Sequence, residues 1–345
     1  MQIKILLIAE FSYGSLGLSY SNAFKRLGCE VVQFDLLEEY KKVNPFAGNK
    51  YLNKIFGSLF YKDINQKLIK IVKLIKPELI FIIKGYFMYP QTLLSIKEDS
   101  KALIFNFNPD NPFNTNKAAS SELIRKSIPL YDCYFIWGNF LIPRLEQSGV
   151  RRVEYLPFAY DVELHYPVTV GEEERKYYES EVVFIGSWDK EREEWLKHLL
   201  NYDLAIWGNG WDDWRIDSSL RKRWRSKVVL GEELSKVCNA SKIVLNLLRK
   251  QNGDAHNMRT FEVPACEGFM LTTRTKEQCD FFEENKDIVC FESPDELISK
   301  INQFLPEEQL RKDFSLSAYK KVKRHTYIER AKHIIEVCEK LKSKL

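Results

Sequence analysis

Short, almost wholly apolar runs separated by longer amphipathic stretches recur from one end of the chain to the other, and this rhythm limits the possible folds more than any other feature. Runs this short, without polar alternation, suit strands covered on both faces, and such strands occur in parallel sheets whose crossovers are helices. Strands are predicted at 3–9, 30–35, 79–83, 103–107, 133–137 and 153–156, and the rhythm restarts at 182–185, 204–207, 227–230, 243–247, 269–272 and 288–291. The expected fold is α/β, with two doubly wound domains facing each other across a cleft, residues 1–165 and 166–318. Segment 165–180, with Pro167, Gly171 and the charged run Glu172 to Arg175, is expected to be the linker. Residues 319–345 read as a helical segment that packs back on the first domain, with Tyr327, Ala331, Ile334, Ile335, Cys338 and Leu341 along one side.

Charge and cysteine usage narrow the function classes. The 52 basic and 48 acidic residues leave a net charge of only +4, whereas binding through nucleic-acid phosphates needs a strongly basic face, so no nucleic-acid partner is expected. The excess lies in residues 1–168, with 21 basic and 16 acidic residues against 31 and 32 in the remainder. Seven widely spaced cysteines without a CxxC pair predict reduced core thiols in a cytoplasmic protein and no zinc site. The first apolar run is too short for a signal sequence and ends in Glu10, so it reads as a strand. No stretch approaches the roughly 18 apolar residues of a membrane span. Lys84 closes the best candidate, 79–83, which leaves only a peripheral membrane contact open.

Ligands of doubly wound sheets bind at the carboxyl ends of strands, so the loops there carry the chemistry. Residues 10–19 hold Gly14, Ser15 and Gly17 but lack GxGxxG, which disfavours a nicotinamide oxidoreductase and leaves both ligand contact and a plain turn open. In 106–113 Asp110 is the acid or base candidate of the first half, with simple Asx-turn chemistry as the alternative. Gly186 and Ser187 lead into a helix whose free N–H groups would hold an anion, with Lys190 and Arg192 neutralising a diphosphate. Glu191, Glu193 and Glu194 permit the plainer reading of a solvated helix face. The densest constellation is 252–268, where Asp254, His256, Asn257, Arg259 and Glu262 immediately precede a predicted strand. Singly, these are a surface ion pair and a loop histidine. Together they offer donors and acceptors of both charges, as a sugar attached to a phosphate requires.

The pattern Asn257-x-Arg259-x-Phe261-Glu262-x-x-Ala265-Cys266-x-Gly268 resembles the spore-maturation (CgeB-like) branch of the GT-B glycosyltransferases. Ala23-x-x-x-Leu27-Gly28-x-x-Val31, Asn246 and the loop Trp207-Gly208-Asn209-Gly210-Trp211 agree with it. The resemblance implies two Rossmann-like domains and a nucleotide sugar as donor substrate, with no cofactor. The donor is then bound in the second domain by Gly186, Ser187, Lys190, Arg192, Gly208, Asn246, Asn257, Arg259 and Glu262, with Glu262 on the ribose hydroxyls. Asp254, His256 and Asp110 are the expected catalytic groups, and Gly14, Ser15, Lys84 and Tyr86 the acceptor or cleft residues. Asp254 and Glu262 have the spacing of the paired glutamates of many retaining enzymes. No DxD triplet occurs, so no divalent metal is expected.

The acceptor is expected to be a saccharide, a lipid-linked saccharide or a surface glycan. Segment 64–75 sets Lys67, Lys70 and Lys73 opposite an apolar face, which suits either an anionic membrane or ordinary cover of a sheet. Tyr86, Phe87, Met88 and Tyr89 form either an acceptor platform or simple loop packing. Two other functions fit the same architecture: a sugar-nucleotide epimerase or hydrolase, and a noncatalytic saccharide-binding or spore-coat assembly protein.

Overall fold

In the computed structural model, which describes residues 3–114 and 120–344, nearly every apolar run forms a strand. The chain divides into one unit of Met1–Pro157 with Tyr327–Leu345 and a second of Phe158–Thr326.

The first unit holds a parallel sheet of β1 (Lys4–Ala9), β2 (Glu30–Asp35), β3 (Leu79–Ile83), β4 (Leu103–Asn108), β5 (Cys133–Ile136) and β6 (Val153–Tyr155), ordered β2-β1-β3-β4-β5-β6. β3, β4 and β5 are buried throughout, which is why their sequences show no alternation. The crossovers are α1 (Leu16–Arg26), α2 (Leu36–Val43), α3 (Lys50–Phe56), α4 (Tyr61–Ile75), α5 (Pro90–Asp99), α6 (Glu122–Ser127) and α7 (Ile142–Glu146).

In the second unit β7 (Val182–Ile185), β8 (Leu204–Trp207), β9 (Ile243–Asn246), β10 (Met270–Thr273) and β11 (Val289–Phe291) form a second parallel sheet, ordered β11-β10-β9-β7-β8. Its helices are α8 (Glu172–Tyr178), α9 (Lys190–Lys197), α10 (Ser218–Arg223), α11 (Glu232–Ala240), α12 (Arg259–Ala265), α13 (Lys276–Phe281), α14 (Pro294–Phe304) and α15 (Glu308–Val322). The strand expected at 227–230 does not form. Only Val229 of those four residues is buried. The segment runs beside β8 with irregular bonds, Arg225 N–H to the Ile206 carbonyl at 2.9 Å and Gly208 N–H to the Lys227 carbonyl at 2.8 Å.

The unit boundaries differ from those expected, for reasons of packing. Segment 165–180 is no free linker. Val168 N–H donates to Asn239 Oδ1 at 3.0 Å, and Tyr177 and Tyr178 of α8 pack on Trp207 with ring centroids at 5.7 and 5.8 Å. The second unit therefore begins at Phe158. Segment 319–345 is split between the units. α15 buries Phe314, Ala318 and Val322 in the second, with Phe314 against Phe269 and Phe304. α16 (Tyr327–Lys342) belongs to the first, packs on α1 and brings Tyr327 to 5.1 Å from Tyr20. Its buried stripe uses Val337 in place of Ile335 and Leu341. Among the described residues no helix is long and apolar enough to cross a membrane.

Candidate functional site

Strand order reverses between β7 and β9, and the crevice at such a reversal is where doubly wound sheets bind ligands. The loops there are held tightly by glycine. Gly186 donates to the Trp207 carbonyl at 2.8 Å, while its own carbonyl accepts from Trp211 Nε1 at 2.9 Å. A Cβ on Gly208 would lie 2.2 Å from the Gly186 carbonyl oxygen, and Gly208 has φ 137°. Glycine at 208 is therefore what lets the two loops approach each other. Trp188 N–H to the Asn209 carbonyl at 2.8 Å completes the seam.

Three guanidinium groups gather at this crevice. Arg192 bridges the two strand ends, donating to the Ser187 carbonyl at 2.9 Å and the Leu247 carbonyl at 3.4 Å. Arg249 donates through Nε to Asp189 at 2.6 Å. Arg259 reaches the Ile185 carbonyl at 3.4 Å and pairs with Glu262. Burial, and then the nearby charges of Arg249 and Arg259, push Arg192 down to about 10. Asp189, Glu191 and Glu262 stand among these three groups and offset part of their charge. Arg249 was not among the sequence candidates. Its signal was present, because it lies three residues beyond β9 on the strand adjoining the reversal.

Glu262 is 2% exposed, with one oxygen on Arg259 and the other 3.7 Å from His165 Nε2. His165 Nδ1 accepts from Asp161 N–H at 3.2 Å, which leaves the proton on Nε2, facing Glu262. Burial, and then Arg259, pull this histidine down to about 3. It was expected only as the start of a linker, since nothing local in sequence links it to Glu262.

Beneath the arginines a buried polar network fixes the start of α12. Asn257 donates to Asn246 at 2.7 Å, Asn246 to Thr272 at 3.2 Å, and Gln278 to Thr272 at 2.6 Å. Asn257 Oδ1 also accepts from Thr260 N–H at 3.1 Å. Asn246 and Asn257 thus anchor the helix that carries Arg259 and Glu262. Thr272 and Gln278 extend the anchor and were missed, because each is an unremarkable polar residue in sequence.

Several expected groups fall elsewhere. His256 is fully buried, with Nε2 accepting from Phe158 N–H at 3.0 Å and Nδ1 2.6 Å from Glu277. With both nitrogens engaged among Phe158, Phe261 and Phe281, it is a strut rather than a catalytic group. Asp254 is exposed and accepts from Lys276 N–H at 2.6 Å, tying its loop to α13. It lines a cleft of about 860 Å³ with Lys190, Arg249 and Arg274, in whose lining Arg259 and Glu262 take no part. The anion site expected at the start of α9 is occupied by Asp189, which caps the helix by accepting from Arg192 N–H at 2.9 Å. Lys190 turns to Glu194 at 2.9 Å on the solvent face.

In the first unit the loop after β1 is closed by its own bonds. Gly14 takes a left-handed conformation, and the Ser15 hydroxyl accepts from Leu18 N–H at 3.2 Å and donates to the Glu10 carbonyl at 3.0 Å. Asp110 forms an ion pair with Lys84, whose ammonium lies 4.3 Å from the Tyr86 ring centre. Lys84 and Phe87 both have positive φ on either side of Gly85, backbone strain of the kind found in functional loops. Phe87 stacks on Tyr40 at 4.4 Å and Met88 is buried, so most of this aromatic run is packing. Among the described residues one group, Cys279, Glu284 and Cys290, brings metal-binding atoms within 4.8 Å of one another. Glu284, however, is held by Arg274 at 2.7 Å. Six cysteines are buried as expected, whereas Cys279 is exposed.

Residues 190–336 match the model of a glycosyl transferase-like family, which does not single out the spore-maturation branch. No curated protein matches the chain in sequence. Among solved structures, sucrose-phosphate synthase of Thermosynechococcus elongatus is similar at TM-score 0.68 and 12% identity, covering 100% of both chains. HepE of Anabaena, solved in complex with UDP-glucose, is similar at TM-score 0.64 and 11% identity, covering 98% of this chain and 100% of its own. A putative UDP-N-acetylglucosamine 2-epimerase of Listeria monocytogenes is similar at TM-score 0.61 and 10% identity, covering 100% and 98%. With two parallel-sheet units and this set of structural neighbours, the chain has the GT-B glycosyltransferase fold.

Proposed function

We propose that this protein is a cytoplasmic, metal-independent glycosyltransferase that binds a nucleotide sugar at the β7–β9 reversal and passes the sugar to a saccharide, lipid-linked or surface-glycan acceptor. The observation that carries the reading is the convergence of Arg192, Arg249 and Arg259 on glycine-tight strand ends, within or beside a stretch that matches a glycosyl transferase-like family.

The chemistry suits that arrangement. Transfer breaks the bond between the anomeric carbon and the diphosphate oxygen and forms one to the acceptor hydroxyl oxygen, whose proton passes to the departing phosphate when configuration is retained. Negative charge grows on the leaving group, and fixed guanidinium groups stabilise it without reorganising. Arg259 would turn from Glu262 to the diphosphate, releasing the carboxylate to accept from the ribose hydroxyls. His165, its proton on Nε2, would hold the freed oxygen in place. Lys84, Asp110 and Tyr86 are assigned to the acceptor.

A thermal-shift screen with UDP, GDP, dTDP, CMP and their sugars tests the donor site, because a ligand of the folded state raises the melting temperature. UDP-glucose is the first choice, since HepE is solved with it. One nucleotide should shift the wild type and fail to shift Arg259→Ala. If no nucleotide shifts the folded protein, the transferase reading is wrong and the noncatalytic saccharide-binding reading takes its place. Product analysis without acceptor separates transfer from epimerisation and hydrolysis.

A further inference from the structure

Helix α3 has no buried residue, and no seven-residue helix is stable in water by propensity alone. Its inner stripe is polar or small. Asn53 bonds Tyr40 and Asn44, and Gly57, just beyond the helix, lies where a Cβ would meet the Tyr40 hydroxyl. The outer stripe is large and apolar: Tyr51 is 80%, Ile55 66% and Leu59 69% exposed, flanked by Leu52 and Phe56. From Asn44 to Lys62 the chain contains no acidic residue, while Lys50, Lys54 and Lys62 are all exposed. The neighbouring acids Glu38 and Glu39 are already paired with Lys41, Lys42 and Lys67.

We infer that the outer face of Lys50–Phe56 and the following turn is a membrane-docking surface, inserting Tyr51, Ile55 and Leu59 into the interface of a bilayer rich in anionic lipid. An apolar stripe flanked by Lys50, Lys54 and Lys62, with the exposed Asp63 at its far end, matches both the acyl boundary and the negative headgroups of such a surface. A large apolar patch of this kind is uncommon on a monomer without a partner. The lysines of α4 are less suited, because Lys67 is taken by Glu39 and Lys73 lies 3.0 Å from Asp99. That the acceptor is met at a bilayer rests on the transferase reading; vesicle binding itself does not.

The test is flotation of the full-length chain with vesicles of phosphatidylglycerol and phosphatidylcholine, against phosphatidylcholine alone. The expected result is binding to the anionic vesicles that weakens with salt and falls at least about tenfold in Ile55→Glu/Leu59→Glu. Both positions are exposed, so the melting temperature should be unchanged, and the nucleotide-induced shift, read on the same sample, reports separately on the donor site. Failure of the folded wild type to float with anionic vesicles overturns the proposal, as does undiminished binding by the double variant. A wild-type dimer that the same substitutions dissociate would also overturn it, by assigning the stripe to a second copy.

Discussion

The two units share one architecture, a parallel sheet whose strand order reverses at the carboxyl ends of β1 and β3 in the first and of β7 and β9 in the second, yet the loops at the two reversals are built differently. At β1 and β3 the polar groups satisfy one another locally, through the Ser15 cap and the Lys84–Asp110 pair. At β7 and β9 three guanidinium groups from separate loops meet Asp189, Glu191 and Glu262, so the charges there are shared across several elements. The same topology thus gives one reversal whose charged groups pair locally and one where charged groups from several loops converge, and the second is where the donor is proposed to bind. The fold supplies the position, and the loop residues decide whether it binds.

The comparison is most exposed to substitution at Arg259. Arg259→Ala leaves Glu262 buried without its cation, and should cost about 3 kcal/mol in urea unfolding together with about a hundredfold in nucleotide affinity. An affinity unchanged from wild type would remove the contrast between the reversals. Gly208→Ala comes next, since its Cβ would overlap the Gly186 carbonyl; a loss of about 2 to 3 kcal/mol in the same assay is expected. A fully stable variant would show that the seam between these loops is slack.

His165 gives a pH signature. Its folded pKa, about 3, lies below its ordinary 6.5, so the unfolded chain takes up the proton first. Stability is therefore complete above pH 6.5 and falls as the pH drops toward 3, by up to about 1.4 kcal/mol per pH unit. His165→Gln should flatten that slope in a series of melts between pH 4 and 7, and an unaltered slope would mean that the histidine is not held neutral. The smallest effect is expected in the first unit. Asp110→Asn loses a half-exposed ion pair worth at most about 1 kcal/mol and should leave nucleotide affinity as it was.

How much of this was readable in the sequence follows burial. β3 and β7 were plain because every residue in them is buried, and an unbroken apolar run of four or five residues between turns rarely folds as anything but a covered strand. The false strand at 227–230 combined β-branched residues with exposure that only the neighbouring β8 reveals. Arg259 and Glu262 stood out through their spacing on one helix, because the pair is local. The roles of His256 and His165 were hidden. One is enclosed by rings contributed from Phe158 to Phe281, and the other meets a carboxylate almost a hundred positions away. Local pattern carries no information about such contacts, which only the folded sheet brings together.

The most direct test is hydrogen exchange measured by mass spectrometry, with and without the nucleotide sugar that raises the melting temperature most. Protection concentrated in 185–192, 247–249 and 257–262, with the loop after β1 unchanged, is the predicted result. Protection confined to the first unit would contradict the assignment of the donor to the β7–β9 reversal.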